Sequence, residues 1–206
     1  MRIGRSFILL AAAVLLVGGC TAAEAEDDPR RPPRSIAELS TAEIQSRWWS
    51  WAASSRPATN PMSDPDGRFC ADNQPADAWY LAMPLGGKAE RRCAIPQGRP
   101  VVFPVINFTG TKDECAAKLA GAEGKVMLDS THVEGVERME PTAIRIKGVE
   151  GNPVTQKAGT VETYGCGLWV RLGPVPGGTG TLTVDGTAGS LSLSVTYKLE
   201  VDKGKV

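Results

Sequence analysis

The sequence predicts a mainly β protein, a β-sandwich with an N-terminal helix and one short helical insertion. Short runs of β-branched and aromatic residues are separated by turn formers, and the 206 residues include 23 glycines and 15 prolines. The last run, from Leu191 to Val201, alternates apolar and polar residues with the period of a half-buried strand. Two segments carry the capping pattern that starts a helix. Many strands with two helices are typical of a pair of packed sheets.

The N-terminal helix is predicted from a capping box, in which Ser40 and Glu43 can satisfy each other's backbone amides. Apolar residues then repeat at helical spacing, at Ile44, Trp48, Trp51 and Ala52. We expect the helix to end at Arg56 and Pro57, because proline cannot continue it. The tryptophan stripe could line a sugar-binding face, but burial against the rest of the domain is the favoured interpretation.

Strands are predicted after this helix, in short apolar runs bounded by Gly and Pro. The first three runs are Trp79 to Met83, Arg92 to Ile95 and Pro100 to Ile106. A second capping box, Thr111 with Glu114, starts the helical insertion over Lys112 to Ala120. Six more strands are expected, at Lys125 to Leu128, Val133 to Val136, Thr142 to Lys147, Gly167 to Leu172, Gly180 to Val184 and Leu191 to Val201.

The first twenty residues resemble a bacterial lipoprotein signal. Arg2 and Arg5 precede an apolar run, and small residues lead to Cys20. The run from Phe7 to Val17 is too short for a permanent span, since a helix rises about 1.5 Å per residue and the hydrocarbon core is about 30 Å thick. The resemblance implies that residues 1–19 are removed and that lipidated Cys20 anchors the protein to the outer face of a bacterial membrane. An ordinary secretory signal is the alternative.

Two further segments follow this signal. Residues 20–35 comprise the lipidated cysteine and a charged, proline-rich stretch that we expect to be a disordered tether, because it holds too little apolar surface to fold. Residues 36–203 are expected to form a single disulfide-containing β-sandwich domain. The chain has 23 basic and 23 acidic residues, so no charge excess points to a nucleic-acid partner.

Four cysteines remain after Cys20, and an even number in an exported protein predicts two disulfides. The four allow three pairings, which the sequence leaves open. We favour Cys70 with Cys93 and Cys115 with Cys166, because the first pair closes a short loop. A zinc site is disfavoured, since the cysteines lack metal-ligand spacing and the one histidine, His132, lies apart from them.

The central block from Trp48 to Asn107 resembles an uncharacterised family of exported bacterial proteins. The resemblance is carried by the tryptophan-bearing helix and by motifs that include Asn60-Pro61, Asp66-Gly67, Trp79 to Ala82, Arg92 to Gly98 and Phe103 to Asn107. It extends more loosely to Leu172 to Gly177 and to Val195 to Leu199. The resemblance implies one all-β exported domain and a bridge between Cys70 and Cys93. It implies no reaction or ligand.

Candidate binding residues are Trp79, Asp66, Asn107 and Arg92, because this block offers an aromatic platform beside polar and charged groups. We predict no catalytic residue, metal or cofactor. The leading functional expectation is a non-enzymatic module that is held at a membrane and binds an envelope glycan or a protein.

The alternative expectation is an extracytoplasmic hydrolase that acts on envelope glycans through paired carboxylates. Its acids would come from Asp64, Asp66 and Asp72, with Trp79 or Tyr80 as a platform for the sugar. The turn-rich setting of these aspartates favours a structural role instead. His132 is expected to be solvated in a turn, which gives little means to orient a catalytic imidazole.

Overall fold

Two β-sheets pack face to face in the computed structural model, which describes residues 35–202 and confirms the predicted mainly β sandwich. The described residues form two α-helices, α1 (Thr41–Ala52) and α2 (Lys112–Ala120). They also form nine strands: β1 (Trp79–Tyr80), β2 (Gly87–Ile95), β3 (Pro100–Gly110), β4 (Ala122–Leu128), β5 (Thr131–His132), β6 (Glu137–Gly148), β7 (Gly159–Pro174), β8 (Gly178–Ala188) and β9 (Leu191–Val201). Short 3-10 turns occupy Ile36–Glu38 and Pro57–Thr59.

Each sheet mixes parallel and antiparallel pairs. One sheet has the strand order β1-β3-β7-β6, and the other has β2-β9-β8-β4-β5. β1 runs parallel to β3 and β2 runs parallel to β9, whereas the other neighbours are antiparallel. We call these the first and second sheets.

Two apolar clusters lie on the two faces of the first sheet. One fills the space between the sheets, and the other lies between the first sheet and α1. Val101 and Phe103 face the first cluster while Val102 faces the second. Because both faces are covered, β3 and β7 each contain an unbroken run of buried residues, 101–106 and 165–170, whereas β9 alternates because one of its faces meets solvent.

Helix α1 begins as its capping box predicts, with the Ser40 hydroxyl accepting a hydrogen bond from the Glu43 amide at 3.3 Å. The helix ends at Ala52, earlier than expected, and Pro57 instead opens a 3-10 turn. Trp48 is fully buried, and its indole N–H donates to the Leu81 carbonyl at 3.1 Å. The tryptophan stripe of α1 is therefore part of the apolar core, as the favoured interpretation predicted.

Helix α2 has its predicted bounds, but most strands are longer than predicted because glycine- and threonine-rich flanks also pair. The strand expected over Val133 to Val136 is wrong. β5 ends at His132, and the backbone turns at Gly135, whose φ of +85° leaves the extended region. The run at Trp79 to Met83 pairs as a strand only at its first two residues.

Two disulfides tie the helix and loop insertions to the sheets. Cys70 is bonded to Cys93 on β2, and Cys115 on α2 is bonded to Cys166 on β7. This is the favoured pairing among the three that the sequence allowed. The bridges fix segments that the strand ladders do not hold.

The outer edge of β2 is covered by the loop before β1. The Arg92 amide donates to the Asp66 carbonyl at 2.9 Å. Gly67 has a φ of +93°, and a β-carbon there would collide with the Arg92 backbone carbonyl, so this close approach requires glycine. The loop therefore satisfies an edge that would otherwise be open.

The outer edge of β6 is covered by helix α1. The Arg145 amide donates to the Ser46 hydroxyl at 3.2 Å, and the Lys147 amide donates to the Ser50 hydroxyl at 3.0 Å. Serines four apart share one helix face, and alternate residues of a strand present their amides to the same side. The distance between the two serines along α1 matches the distance between the two amides along β6. One turn of the helix therefore accepts hydrogen bonds from two edge amides.

Candidate functional site

The four candidate binding residues do not converge on one site. Asp66 and Arg92 line one shallow groove of about 550 Å³ at the edge of β2. Trp79 borders a different groove, but only 5% of its surface is exposed, because it packs in the core between the sheets. Its indole N–H lies 3.3 Å from Cys93 Sγ. Asn107 lies on β3 outside both grooves, and its Nδ2 is buried without a partner among the described residues. Trp79 is therefore no open platform beside Asp66.

The groove at Asp66 and Arg92 is lined mostly by charged side chains, and each of these two residues forms an exposed ion pair. Arg68 donates to Asp66 at 2.7 Å, and Arg92 lies 3.7 Å from Glu200. The bond from Arg68 holds the pKa of the Asp66 carboxyl well below its ordinary value. Exposed pairs of this kind add little free energy.

Two of the three carboxylates of the hydrolase alternative, those of Asp64 and Asp66, have structural partners. The Asp64 carboxylate is buried and accepts hydrogen bonds from the amides of Phe69 at 2.8 Å and Asp66 at 3.2 Å. A general acid needs a raised pKa, whereas that of Asp66 is lowered by Arg68. Asp72 is exposed, and its carbonyl accepts from Trp51. The geometry of these three residues favours turn formation over acid catalysis.

His132 lies in the short strand β5 and is exposed, with its Nδ1 3.0 Å from the Val133 carbonyl. Within residues 35–202, no three His, Cys, Asp or Glu side chains are arranged to hold a metal ion. Across the same residues, no helix has the length and hydropathy needed to cross a membrane.

Arg91 is a buried charge that the sequence analysis missed. Its guanidinium donates to the carbonyls of Asp64 at 2.8 Å, Ala82 at 2.7 Å and Met62 at 3.0 Å. It also donates to the Tyr197 hydroxyl at 3.1 Å. Only 3% of the residue is exposed, and it forms no ion pair within the described part of the chain. Arg91 therefore fixes the loop before β1, and its role is structural.

The sequence feature that indicates burial of Arg91 is its position in the alternating pattern of β2. Arg91, Cys93 and Ile95 alternate along β2 and are all buried, whereas Arg92 between them faces solvent. A charged residue in phase with the inward positions of a strand predicts a buried, fully bonded group.

A separate groove, with a volume of about 520 Å³, lies between α1, the segment before β1 and the end of β6. We call it the Tyr80 groove. Its aromatic lining residues are Tyr80 and Trp51, whose rings meet edge to face with centroids 5.7 Å apart. The other lining residues are Ser46, Arg47, Ser50, Ser54, Asn73, Pro75, Lys147, Gly148 and Val149. This volume falls within the usual range for small-ligand sites.

The Tyr80 hydroxyl is the unusual group of this groove. Tyr80 is 1% exposed, yet its hydroxyl has no hydrogen-bond partner among the described residues. Burial raises the pKa of the phenol to about 12, with opposing contributions from Arg47 and Asp77 nearby. The phenol is therefore neutral at physiological pH and is able to donate. Leaving a buried hydroxyl unpaired costs roughly 1 to 3 kcal/mol. The oxygen itself exposes less than 1 Å², so a ligand that accepts its proton would recover that cost only by displacing the side chains that cover it.

Val149 adds an apolar wall to the groove. It is 40% exposed, and it and Leu85 are the two large hydrophobic residues that stand exposed between residues 35 and 202. The Tyr80 groove thus combines apolar surface, a buried hydroxyl and polar groups, which is the usual composition of a binding site. Sequence reasoning named Tyr80 only as a platform for the hydrolase, since the remaining lining residues come from distant segments.

Comparisons with protein-family profiles, with curated proteins and with solved structures gave no significant match.

Proposed function

We propose that this chain is an extracytoplasmic lipoprotein, anchored by Cys20, that binds an envelope glycan without chemical change. The lipoprotein-like signal and the two disulfides support export, because disulfides persist in oxidising compartments. The resemblance of residues 48–107 to an exported bacterial family agrees with this placement. The carboxylates of Asp64 and Asp66 from the hydrolase alternative have structural partners, which favours binding over catalysis.

The observation that carries the binding proposal is the unpaired Tyr80 hydroxyl at the Tyr80 groove. A protein that keeps such a group without a structural partner gives up stability, and that loss is typical of functional sites. The groove is small, with a volume of about 520 Å³, which suits one or two sugar rings better than the extended contact of a protein partner.

The anchor is tested with a Cys20→Ala variant of the full chain, expressed in a bacterial host. If Cys20 carries the lipid, we expect the native protein in the membrane fraction and the variant in the soluble extracytoplasmic fraction, because burial of acyl chains provides the attachment. Metabolic labelling with a fatty acid should mark the native chain alone. A variant that remains in the membrane fraction would contradict the proposed anchor.

The binding site is tested with Tyr80→Phe in the full-length chain in detergent, with peptidoglycan fragments and capsular oligosaccharides as probes. We expect affinity to fall about tenfold, since each factor of ten in affinity corresponds to roughly 1.4 kcal/mol. The melting temperature should stay level or rise, because the lost hydroxyl had no partner.

Tyr197→Phe is the matched control for this test. The Tyr197 hydroxyl donates to the Ala82 carbonyl at 2.7 Å and accepts from the Ala82 amide at 3.2 Å. Removing that hydroxyl should lower stability and leave affinity unchanged, which is the reverse of the Tyr80 result. Absence of binding to every glycan probe would overturn the proposed function.

A further inference from the structure

We propose that the Tyr80 groove selects acidic sugars, and that Lys147 pairs with a carboxylate of the bound glycan. This inference rests on the proposed function and names the substrate class of the same groove. It follows from the count of hydrogen-bond donors and acceptors in the groove and from its charge balance.

Three serine hydroxyls, two on α1 and one just after it, are held as acceptors by the protein itself. Ser46 accepts from the Arg145 amide at 3.2 Å, and Ser50 accepts from the Lys147 amide at 3.0 Å. Ser54 accepts from Asn73 Nδ2 at 3.0 Å. A serine hydroxyl has one proton to donate, and none of these three protons is donated to a residue of the range 35–202. The oxygen of each serine already accepts a hydrogen bond from the protein, so its hydroxyl proton is the part that a ligand in the groove can bond.

The Tyr80 phenol and the Lys147 ammonium add further donors. Tyr80 donates to no described residue, and Lys147 is exposed with no ion-pair partner between residues 35 and 202. The Asp77 carboxylate next to the groove is held by Arg47 in a short ion pair, so it does not balance these donors. The free Asn73 Oδ1 is the main unpaired side-chain acceptor of the lining. A ligand rich in oxygen acceptors complements such a surface.

The charges of the groove point to one negative group on that ligand. Arg47 and Asp77 cancel, which leaves the single positive charge of Lys147. A phosphate monoester carries about −1.5 to −2 at neutral pH, whereas a carboxylate carries a single charge and matches one cation. Ring and hydroxyl oxygens of the same sugar would accept from the serines and from Tyr80, and its C–H faces would meet Val149 and Trp51.

The test uses the full-length chain on an array of oligosaccharides that carry uronic acids, their methyl esters, and sulfated and neutral sugars. We expect uronic-acid members to bind, with an affinity that falls as salt rises, and their methyl esters to bind at least about tenfold more weakly. Lys147→Gln should remove the preference for the free acid. Lys125→Gln, an exposed lysine of β4 outside the groove, is the matched control and should leave affinity unchanged.

The outcomes separate the two proposals. Equal binding of acids and methyl esters, stronger binding of sulfated members, or a preference that survives Lys147→Gln would each overturn the acidic-sugar assignment while leaving glycan binding intact. Failure of every sugar on the array to bind would overturn both. Because Lys147 is exposed, its substitution should not impair folding, and an unchanged melting temperature verifies this.

Discussion

Arg91→Ala is expected to lower the free energy of unfolding by about 4 kcal/mol, because removing a buried donor of four hydrogen bonds leaves buried acceptors unpaired. The carbonyls of Asp64 and Met62 lose their Arg91 donor, while the Ala82 carbonyl and the Tyr197 hydroxyl lose one of their partners and keep each other. The space left by the side chain adds a cavity cost. Urea unfolding followed by tryptophan fluorescence measures the change as a shifted midpoint.

Arg92→Ala is the matched control, since the same atoms are removed one residue away. The Arg92 side chain is 71% exposed and its ion pair with Glu200 is long, at 3.7 Å. We expect this variant to change stability by no more than about 0.5 kcal/mol. Arg91→Lys should recover part of the loss, because an ammonium keeps the charge but cannot reproduce the planar fork of donors. Equal effects at positions 91 and 92 would contradict the structural role of Arg91.

Replacing both Cys115 and Cys166 by alanine is expected to cost about 4 kcal/mol, because the lost bridge no longer restricts the unfolded chain. The bridged residues are 51 positions apart, and both cysteines are fully buried. The native protein should show a larger loss when it is unfolded in the presence of reductant, because both bridges are then broken. In the double variant, reductant should lower the free energy of unfolding only by breaking the bridge between Cys70 and Cys93.

The bridge between Cys70 and Cys93 provides the comparison. Its cysteines are 23 positions apart, so the same entropic argument gives a loss of about 3.5 kcal/mol when both are replaced by alanine. A Cys115 and Cys166 variant whose unfolding midpoint equals that of the native chain would show that the bridge does not stabilise the fold.

The elements that were predicted best are those whose signal is local. The capping box at Thr111 and Glu114 predicted the bounds of α2, and the alternation of Leu191 to Val201 predicted those of β9. The order of strands could not be predicted, because pairing such as that of β2 with β9 joins residues about a hundred positions apart through backbone groups that every residue has.

The candidate site was less predictable for a related reason. Asp66 and Arg92 do share a groove, but Trp79 and Asn107 lie elsewhere. The Tyr80 groove joins one face of α1 to the segment near Asn73 and to the end of β6, and no sequence motif links these segments. Whether a tyrosine hydroxyl has a partner is a property of the packed molecule, so Tyr80 and Tyr197 could not be distinguished before the fold was known.

The contact of Ser46 and Ser50 with β6 also bears on how the chain avoids self-association. A strand edge with free amides is a template on which another molecule can add a strand and begin a fibril. The edge of β6 is covered by helix α1 and not by a paired strand. Its amides are therefore protected from another strand only after α1 has docked. A molecule in which α1 has come loose therefore exposes two edge amides of β6, to which a strand of another molecule can bond.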